Sequence, residues 1–375
     1  MGTIKASHIQ SNSGNDITVD KGFVITGGVT ATGDLYSPSI TAHNYIINGD
    51  MAIAQVGTSF AAVASGTYNL DCWVYAKSGD AVHTITQDTT VPTGTPFKYS
   101  LKLDCTTADS SIAAGDYCLF GQRIEGYNFV PMVGKTVTLS FWVSDSKIGI
   151  HCVTFLNSGA DRSYVAEYTI NVANTLEFKT ITVPMNFSGG TWDYTTGIGL
   201  SIYFTLSCGS TYQTTANAWQ TGCYYATANQ VNGTDSTDNN FYITGVGLND
   251  GSVAMPFRLC GGSRATEIIL CQRYYEKSYD LLTAPGTNTT NGVFYSPAPR
   301  DYAVEERGMQ FKVSKRSAPT MHIYSYTGAI DKCWNGSDRD SVAGYVGTEG
   351  FGYITIAGGD VNNSALYHWT ADSRL

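Results

Sequence analysis

Lys135-Thr136-Val137-Thr138-Leu139-Ser140-Phe141-Trp142-Val143 sets an apolar side chain at every second position from Val137 to Val143. A segment with that period shows one apolar face as a strand and none as a helix. The same rhythm returns in Tyr99-Ser100-Leu101-Lys102-Leu103-Asp104, in Phe178-Lys179-Thr180-Ile181-Thr182-Val183-Pro184, in Leu200-Ser201-Ile202-Tyr203-Phe204-Thr205-Leu206 and in Phe241-Tyr242-Ile243-Thr244-Gly245-Val246. Between these runs lie clusters of Gly, Asn, Asp and Ser, the residues of tight turns. Many short strands over about two hundred residues predict a two-sheet sandwich of jelly-roll type. Composition agrees: 40 glycines and 25 tyrosines suit strands and turns, and only 14% of residues are charged. The expected fold class is all-β.

A net charge of −9 argues against a nucleic-acid backbone as the natural partner and against docking on an anionic membrane. No apolar run approaches the length that inserts into a bilayer, so no membrane insertion is expected. The nine cysteines are odd in number, widely spread and without a Cys-x-x-Cys pair. That pattern suits neither a disulfide scaffold nor a zinc site, and predicts small core residues in a chain assembled in a reducing cytoplasm. Met1-Gly2-Thr3-Ile4-Lys5 opens no signal-like stretch, which points to release by lysis in place of secretion.

Three regions are expected. Residues 1–44 are polar and Gly/Thr-rich with short alternating runs, and read as a stalk or docking arm. Ile17, Val19, Phe23 and Ile25 are its candidate contact residues. Residues 45–260 carry the sandwich. Residues 261–375 read as a smaller β domain with one helix: Ser263 is placed to cap it, Glu267 falls in its first turn, and Ile268, Cys271 and Tyr275 space its apolar stripe. Arg273 and Lys277 sit toward its C-terminal end. Further strands are expected over 309–313, 320–325, 351–356 and 365–370.

Several segments resemble a family of tailed-bacteriophage fibre and decoration proteins. Tyr45-Ile46-Ile47-Asn48-Gly49-Asp50 followed by Met51-Ala52-Ile53-Ala54-Gln55-Val56-Gly57 is similar to the family's entry strand, with Val56 where an arginine is common. Leu70-Asp71-Cys72-Trp73 stands for an aromatic Asp-Arg-Trp motif, and Gly247-Leu248-Asn249 for a Gln-Leu-Glu. Leu270-Cys271-Gln272-Arg273-Tyr274-Tyr275-Glu276-Lys277-Ser278 and the ending Tyr367-His368-Trp369-Thr370-Ala371-Asp372-Ser373-Arg374-Leu375 also match. The resemblance implies a virion location, a sandwich similar to carbohydrate-binding modules, a homotrimer, and an N-terminal segment that engages another virion protein of tail or capsid. It implies no enzymatic reaction.

The chemistry-bearing residues divide accordingly. Asp116, Glu125, Glu167, Glu177 and Asp193 are the sandwich carboxylates that a glycoside-cleaving pair would draw on, but neither a repetitive spike pattern nor a Gly-x-Ser-x-Gly elbow accompanies them, and no catalytic residue is assigned. The six histidines show no metal-ligand spacing, and no metal is assigned. The oxygen-rich stretches 232–240 and 335–340 lack the EF-hand pattern, and a structural calcium there would rest on analogy alone. Trp192, Tyr194, Tyr212, Trp219, Tyr224 and Tyr225 lie in loop-like stretches outside the alternation. They are the glycan-binding candidates, with packing or subunit contact as the competing reading. The function expected is a trimeric virion fibre that attaches to a host-cell surface glycan. The alternative is a head fibre or capsid decoration protein with little or no receptor binding.

Overall fold

The alternating runs pair into two six-stranded antiparallel sheets. In the computed structural model, residues 43–296, 309–360 and 362–375 are described, and residues 42–375 form one compact unit. Ile17, Val19, Phe23 and Ile25 lie outside the described residues. The first sheet runs, in spatial order, β1 (Ser59–Phe60), β3 (Val82–Asp88), β4 (Ser100–Thr107), β12 (Asn240–Asp250), β6 (Thr136–Asp145) and β9 (Glu177–Pro184). The second runs β11 (Trp219–Thr221), β8 (Arg162–Ile170), β7 (Gly149–Asn157), β10 (Ile198–Cys208), β5 (Tyr117–Glu125) and β2 (Trp73–Ser78). Spatial neighbours are mostly distant in sequence, as a sandwich of jelly-roll type requires.

The inward positions of both sheets make one core. Leu101, Leu139, Phe141 and Ile243 from the first sheet meet Phe120, Phe155, Ile202 and Phe204 from the second. Phe141 and Phe204 cross the interface edge to face, with ring centroids 4.9 Å apart. Each such side chain contributes about 2–3 kcal/mol by leaving water, so alternation alone drives the two sheets together.

The outward face of the second sheet is covered too. Residues 209–239, which connect β10 to β12, run across it and are tied down by the sheet's own hydroxyls. Thr154 Oγ1 donates to the Tyr224 carbonyl at 2.8 Å, Thr205 Oγ1 to the Tyr225 carbonyl at 2.7 Å, and Ser163 Oγ to the Gly222 carbonyl at 2.9 Å. Cys152, Thr154, Val165 and Thr205 are outward by parity and fully buried under this segment. The sandwich is therefore closed on one side by its own chain.

Beyond the sandwich, α1 (Arg264–Gln272) leads into a third sheet. Ser263 caps α1, its side chain accepting from the Thr266 N–H, with Glu267 in the first turn. The helix is shorter than its stripe predicts. It stops at Gln272, and Tyr275 opens β13 (Tyr275–Lys277), which pairs with β21 (Ala365–Asp372). Ladder pairing with β21 overrides the helical spacing, and Lys277 becomes a buried strand residue. β21 is the hub of this sheet: β13, β14 (Phe294–Ser296), β16 (Thr320–Ser325) and β17 (Lys332–Trp334) all pair with it. The strand expected over 309–313 is only the pair Met309–Gln310. Arg273 links this region to the sandwich through the buried carboxylate of Glu125. Gln55 adds a second link, its side chain donating to Asp71 at 2.5 Å and to the Tyr275 carbonyl at 2.9 Å.

Seven of the nine cysteines are buried, and Cys223 and Cys260 are half-buried. They fill space in the cores, as their apolar neighbours predict. Burial pushes the Cys105 thiol up to about 11 and those of Cys118, Cys208 and Cys260 up to about 12.

Candidate functional site

Where the second sheet is covered, the first presents Lys102, Trp142, Tyr242 and Phe178 partly to solvent, although Ser100, Ser144 and Thr244 beside them are buried. Phe141 and Val143 of β6 point into the core, so Trp142 and Ser144 between and beside them point out. On β12, Phe241 and Ile243 point in, so Tyr242 points out. The register then sets these outward groups side by side. Tyr242 stands opposite Lys102 on one flank and Ser144 on the other, while Trp142 stands opposite Thr244 and Phe178. Three adjacent strands thus carry a diagonal of rings, Tyr242 to Trp142 to Phe178. The Trp142 and Phe178 centroids are 5.4 Å apart and the rings are inclined at 51°. Phe178 is 47% exposed, which is unusual for so large an apolar ring.

Two segments wall this floor: residues 90–93 on one side and 174–176 on the other. Together they enclose a groove of about 540 Å³ whose floor is Trp142, Ser144 and Tyr242. No residue lining it is charged. Charges lie just outside it: Asp88 Oδ1 accepts from the Thr90 N–H at 2.7 Å, and Lys102 Nζ sits 5.9 Å from the Tyr242 ring centroid and 3.3 Å from Asp104 Oδ1. Asn174 on the far wall takes a positive φ of 54°, a conformation that asparagine tolerates better than most residues. It is held there by the Asp145 carbonyl, which accepts from the Asn174 N–H at 3.0 Å, and by Ser146 Oγ, 2.9 Å from Asn174 Oδ1.

The floor owes its shape to a bulge in β12. The β12–β6 register slips between Thr244 and Gly247, and Gly245 sits at φ +62°. A Cβ on Gly245 would lie 2.6 Å from Phe97 Cζ and 3.2 Å from Trp142 Cδ1, so only glycine lets both rings approach. Flat aromatic faces flanked by hydroxyl and amide groups, without charge, suit a neutral polyhydroxylated ligand better than an ionic one.

The six loop aromatics do not converge on one surface. Trp192, Tyr194 and Trp219 gather at one edge of the sandwich. Trp192 stacks on Phe187 at 3.7 Å and on Phe129 at 5.2 Å, Tyr194 stacks on Phe129 at 6.1 Å, and Trp219 meets Trp192 edge-on at 5.7 Å. The indole N–H groups are spent inside the protein: Trp192 donates to the Gly189 carbonyl and Trp219 to the Pro184 carbonyl. Tyr212, Tyr224 and Tyr225 belong to the segment over the second sheet. Tyr117 meets both Tyr212 and Tyr225, at 5.4 and 5.0 Å, and Tyr212 lies 5.1 Å from Tyr225. Trp192, Tyr212, Trp219, Tyr224 and Tyr225 are half-buried, and Tyr194 is 43% exposed.

The groove aromatics escaped the sequence reading because they sit inside strands. The signal was present: an aromatic whose two neighbours both face the core must itself face outward.

The carboxylates are scattered and locally engaged. Glu125 pairs with Arg273, Glu167 accepts from Thr227 and Asn229, Glu177 pairs with Lys179 at 2.6 Å, Asp193 accepts from Thr195, and Asp116 accepts from Ser78. In the oxygen-rich stretches, Asn232 Oδ1 accepts from the N–H and hydroxyl of Thr234, and Asn335 bonds to the backbone of Asp360 and Asn363. Among the described residues, no group of three or more His, Cys, Asp or Glu side chains is placed to hold a metal ion.

No family model matches the chain, and no curated protein matches it. Among solved structures it is similar to the enzymatically active domain of tailspike protein 4 of bacteriophage CBA120, with 18% identity over 57% of this chain and a TM-score of 0.32. The matched part is 22% of that tailspike chain. It is also similar to a CBM4 structure, at 17% identity over 54% of this chain and 98% of that one, TM-score 0.31. A third is the family 11 carbohydrate-binding module of the Clostridium thermocellum cellulase Lic26A-Cel5E, at 12% identity over 53% and 98%, TM-score 0.28. Likeness this distant adds nothing to what the groove itself says. The class that the coordinates define is an all-β protein, a two-sheet sandwich of jelly-roll type joined to a smaller helix-bearing β region.

Proposed function

We propose that this chain is a glycan-binding attachment protein that uses the Trp142–Tyr242 groove to hold an uncharged stretch of a cell-surface glycan. One observation carries the reading. Of the two outward faces of the sandwich, one is sealed by residues 209–239 and the other offers a diagonal of rings in an uncharged groove of about 540 Å³. Stacking needs the flat face of Trp142, and orientation needs the hydroxyl and amide groups of Ser144, Thr93 and Asn174 beside it.

The setting that fits this activity is a tailed-phage particle, with three copies forming a fibre and residues 1–44 gripping another virion protein. Support for that setting comes from the resemblance of residues 45–375 to phage fibre and decoration proteins. The test is adsorption competition. Purified protein and its Trp142→Ala variant are added to host cells, and attachment of intact virus is counted. Saturable blocking by the parent but not by the variant supports attachment through the groove. A folded parent that neither binds cells nor blocks virus rejects it and leaves capsid decoration as the role.

A further inference from the structure

Behind the wall of the groove lies a buried pair of groups, Asp145 and His151, whose facing atoms have no hydrogen-bond partner. Asp145 is the last residue of β6 and His151 lies on β7; their side chains are 1% and 0% exposed. His151 Nε2 is 3.0 Å from the Lys147 carbonyl oxygen. A carbonyl only accepts, so Nε2 carries the hydrogen, and in the neutral ring Nδ1 is then a bare acceptor. That acceptor faces Asp145 Oδ2 at 3.8 Å. Neither atom has another hydrogen-bond partner, since the Lys147 N–H goes to Asp145 Oδ1 at 2.8 Å. Tyr168 completes the pocket. Its ring stacks on His151 at 5.7 Å, and its buried hydroxyl is also without a partner. At 3.8 Å the two atoms are too far apart to hydrogen-bond each other, so an ionised Asp145 sets an unpaired buried charge against the Nδ1 lone pair, and a proton on Oδ2 removes that charge.

This site is joined to the groove by backbone. Asp145 holds the Asn174 N–H on its carbonyl, Ser146 bonds the Asn174 side chain, and Ser146 is itself locked to β12 by the Asn240 N–H at 3.1 Å. Ser144, one residue before Asp145, is part of the groove floor. We infer that the proton carried by Asp145 beside the His151 ring latches the 145–148 turn, and through Asn174 keeps the wall of the groove in its binding position. The inference concerns regulation of the groove and rests on the reading of that groove as the binding site.

Below about pH 7 the proton resides on Asp145. Burial pushes its carboxyl up to about 7, with the Asp235 charge adding to the rise and the Lys147 and Ser146 N–H groups and the Lys147 charge opposing it. Burial also pushes His151 down, so the ring stays neutral. Lys147 is ion-paired with Asp235, while Cys152 is held protonated by burial and Tyr168 stays a phenol. The sign follows from linkage. The folded state binds this proton more tightly than the unfolded chain, so its contribution is full below the ordinary carboxylate range and is lost as pH rises through about 7. Above that, the O–H bond of Asp145 breaks, the proton goes to solvent, and a buried carboxylate anion is left facing the Nδ1 lone pair.

The test needs no glycan. Amide hydrogen exchange at Asn174 is compared between the parent and Asp145→Asn, whose side-chain amide stays uncharged at every pH. Between pH 6 and 8.5 the protection at Asn174 is expected to fall roughly tenfold in the parent and to stay level in the variant. An equal fall in both, or none in the parent, overturns the latch. Should D145N fail to fold, the carbon-13 shift of the Asp145 carboxyl in the parent decides: a midpoint near 7 supports the latch, and one in the ordinary carboxylate range rejects it. A groove that binds no glycan while Asn174 still follows the proton would reject the proposed function and leave the latch standing.

Discussion

Arg273, the residue that follows α1, forks onto Glu125 at the end of β5, with Nε 2.8 Å from Oε2 and Nη2 2.5 Å from Oε1. Glu125 is 1% exposed, and the Tyr274 hydroxyl donates to the same carboxylate at 2.8 Å. A two-toothed pair buried at one partner has a fixed geometry, and it spans the seam between the sandwich and the C-terminal sheet.

Removing one partner strands the other. Arg273→Ala leaves the Glu125 carboxylate buried with only Tyr274, and is expected to destabilise the protein by about 3–5 kcal/mol. Urea unfolding followed by tryptophan fluorescence measures this. A loss under 1 kcal/mol would show that the seam does not depend on the pair.

Binding and packing aromatics are expected to separate cleanly. Trp142→Ala should weaken glycan binding by about 2 kcal/mol, roughly thirtyfold, while unfolding near the parent's midpoint. Trp192→Ala should cost about 3 kcal/mol of stability, because its ring stacks against both Phe187 and Phe129, and should leave glycan binding unchanged. The reverse pattern, in calorimetry and binding together, would move the site to the Trp192 edge.

Acid should find the protein through His83. The ring is 1% exposed, its Nδ1 is 2.7 Å from the Tyr75 hydroxyl, and burial, helped by the Lys77 charge and opposed by Asp104, pushes it down to about 4. The unfolded chain takes up this proton near 6.5 and the folded one only near 4. Stability is therefore lost as pH falls between those values, on the order of 3 kcal/mol from this group. Melting temperatures of the parent and His83→Gln, taken from pH 7 to 4, should converge at the acid end.

Gly245→Ala places a methyl into Phe97 and Trp142 at a backbone angle that L-residues avoid. A cost of about 2 kcal/mol is expected, with a changed near-ultraviolet dichroism from the displaced indole. An unchanged spectrum would show that the bulge does not shape the floor.

Much of this was legible in the chain. The runs that begin at Ser100, Thr136, Glu177, Ile198 and Asn240 are strands because their period is two, and Ser263 caps α1 because its hydroxyl reaches the Thr266 N–H. Parity even fixes which way Trp142 and Tyr242 face. What parity does not contain is which outward face stays open. That is decided by residues 209–239, a segment without a period, whose path follows from hydroxyls on three different strands: Thr154, Thr205 and Ser163. The early end of α1 is illegible for the same reason, because Tyr275 leaves the helix for a partner, Asp372, nearly a hundred residues away.

The sulfur inventory has a practical side. Seven thiols, those of Cys105, Cys118, Cys152, Cys208, Cys223, Cys260 and Cys271, are pushed upward by burial, so little thiolate is available at neutral pH to attack an electrophile. A cysteine introduced at the exposed Thr180 would take up a maleimide dye ahead of these, on the same open sheet face as the groove. The native chain supplies a quiet background for following single labelled molecules.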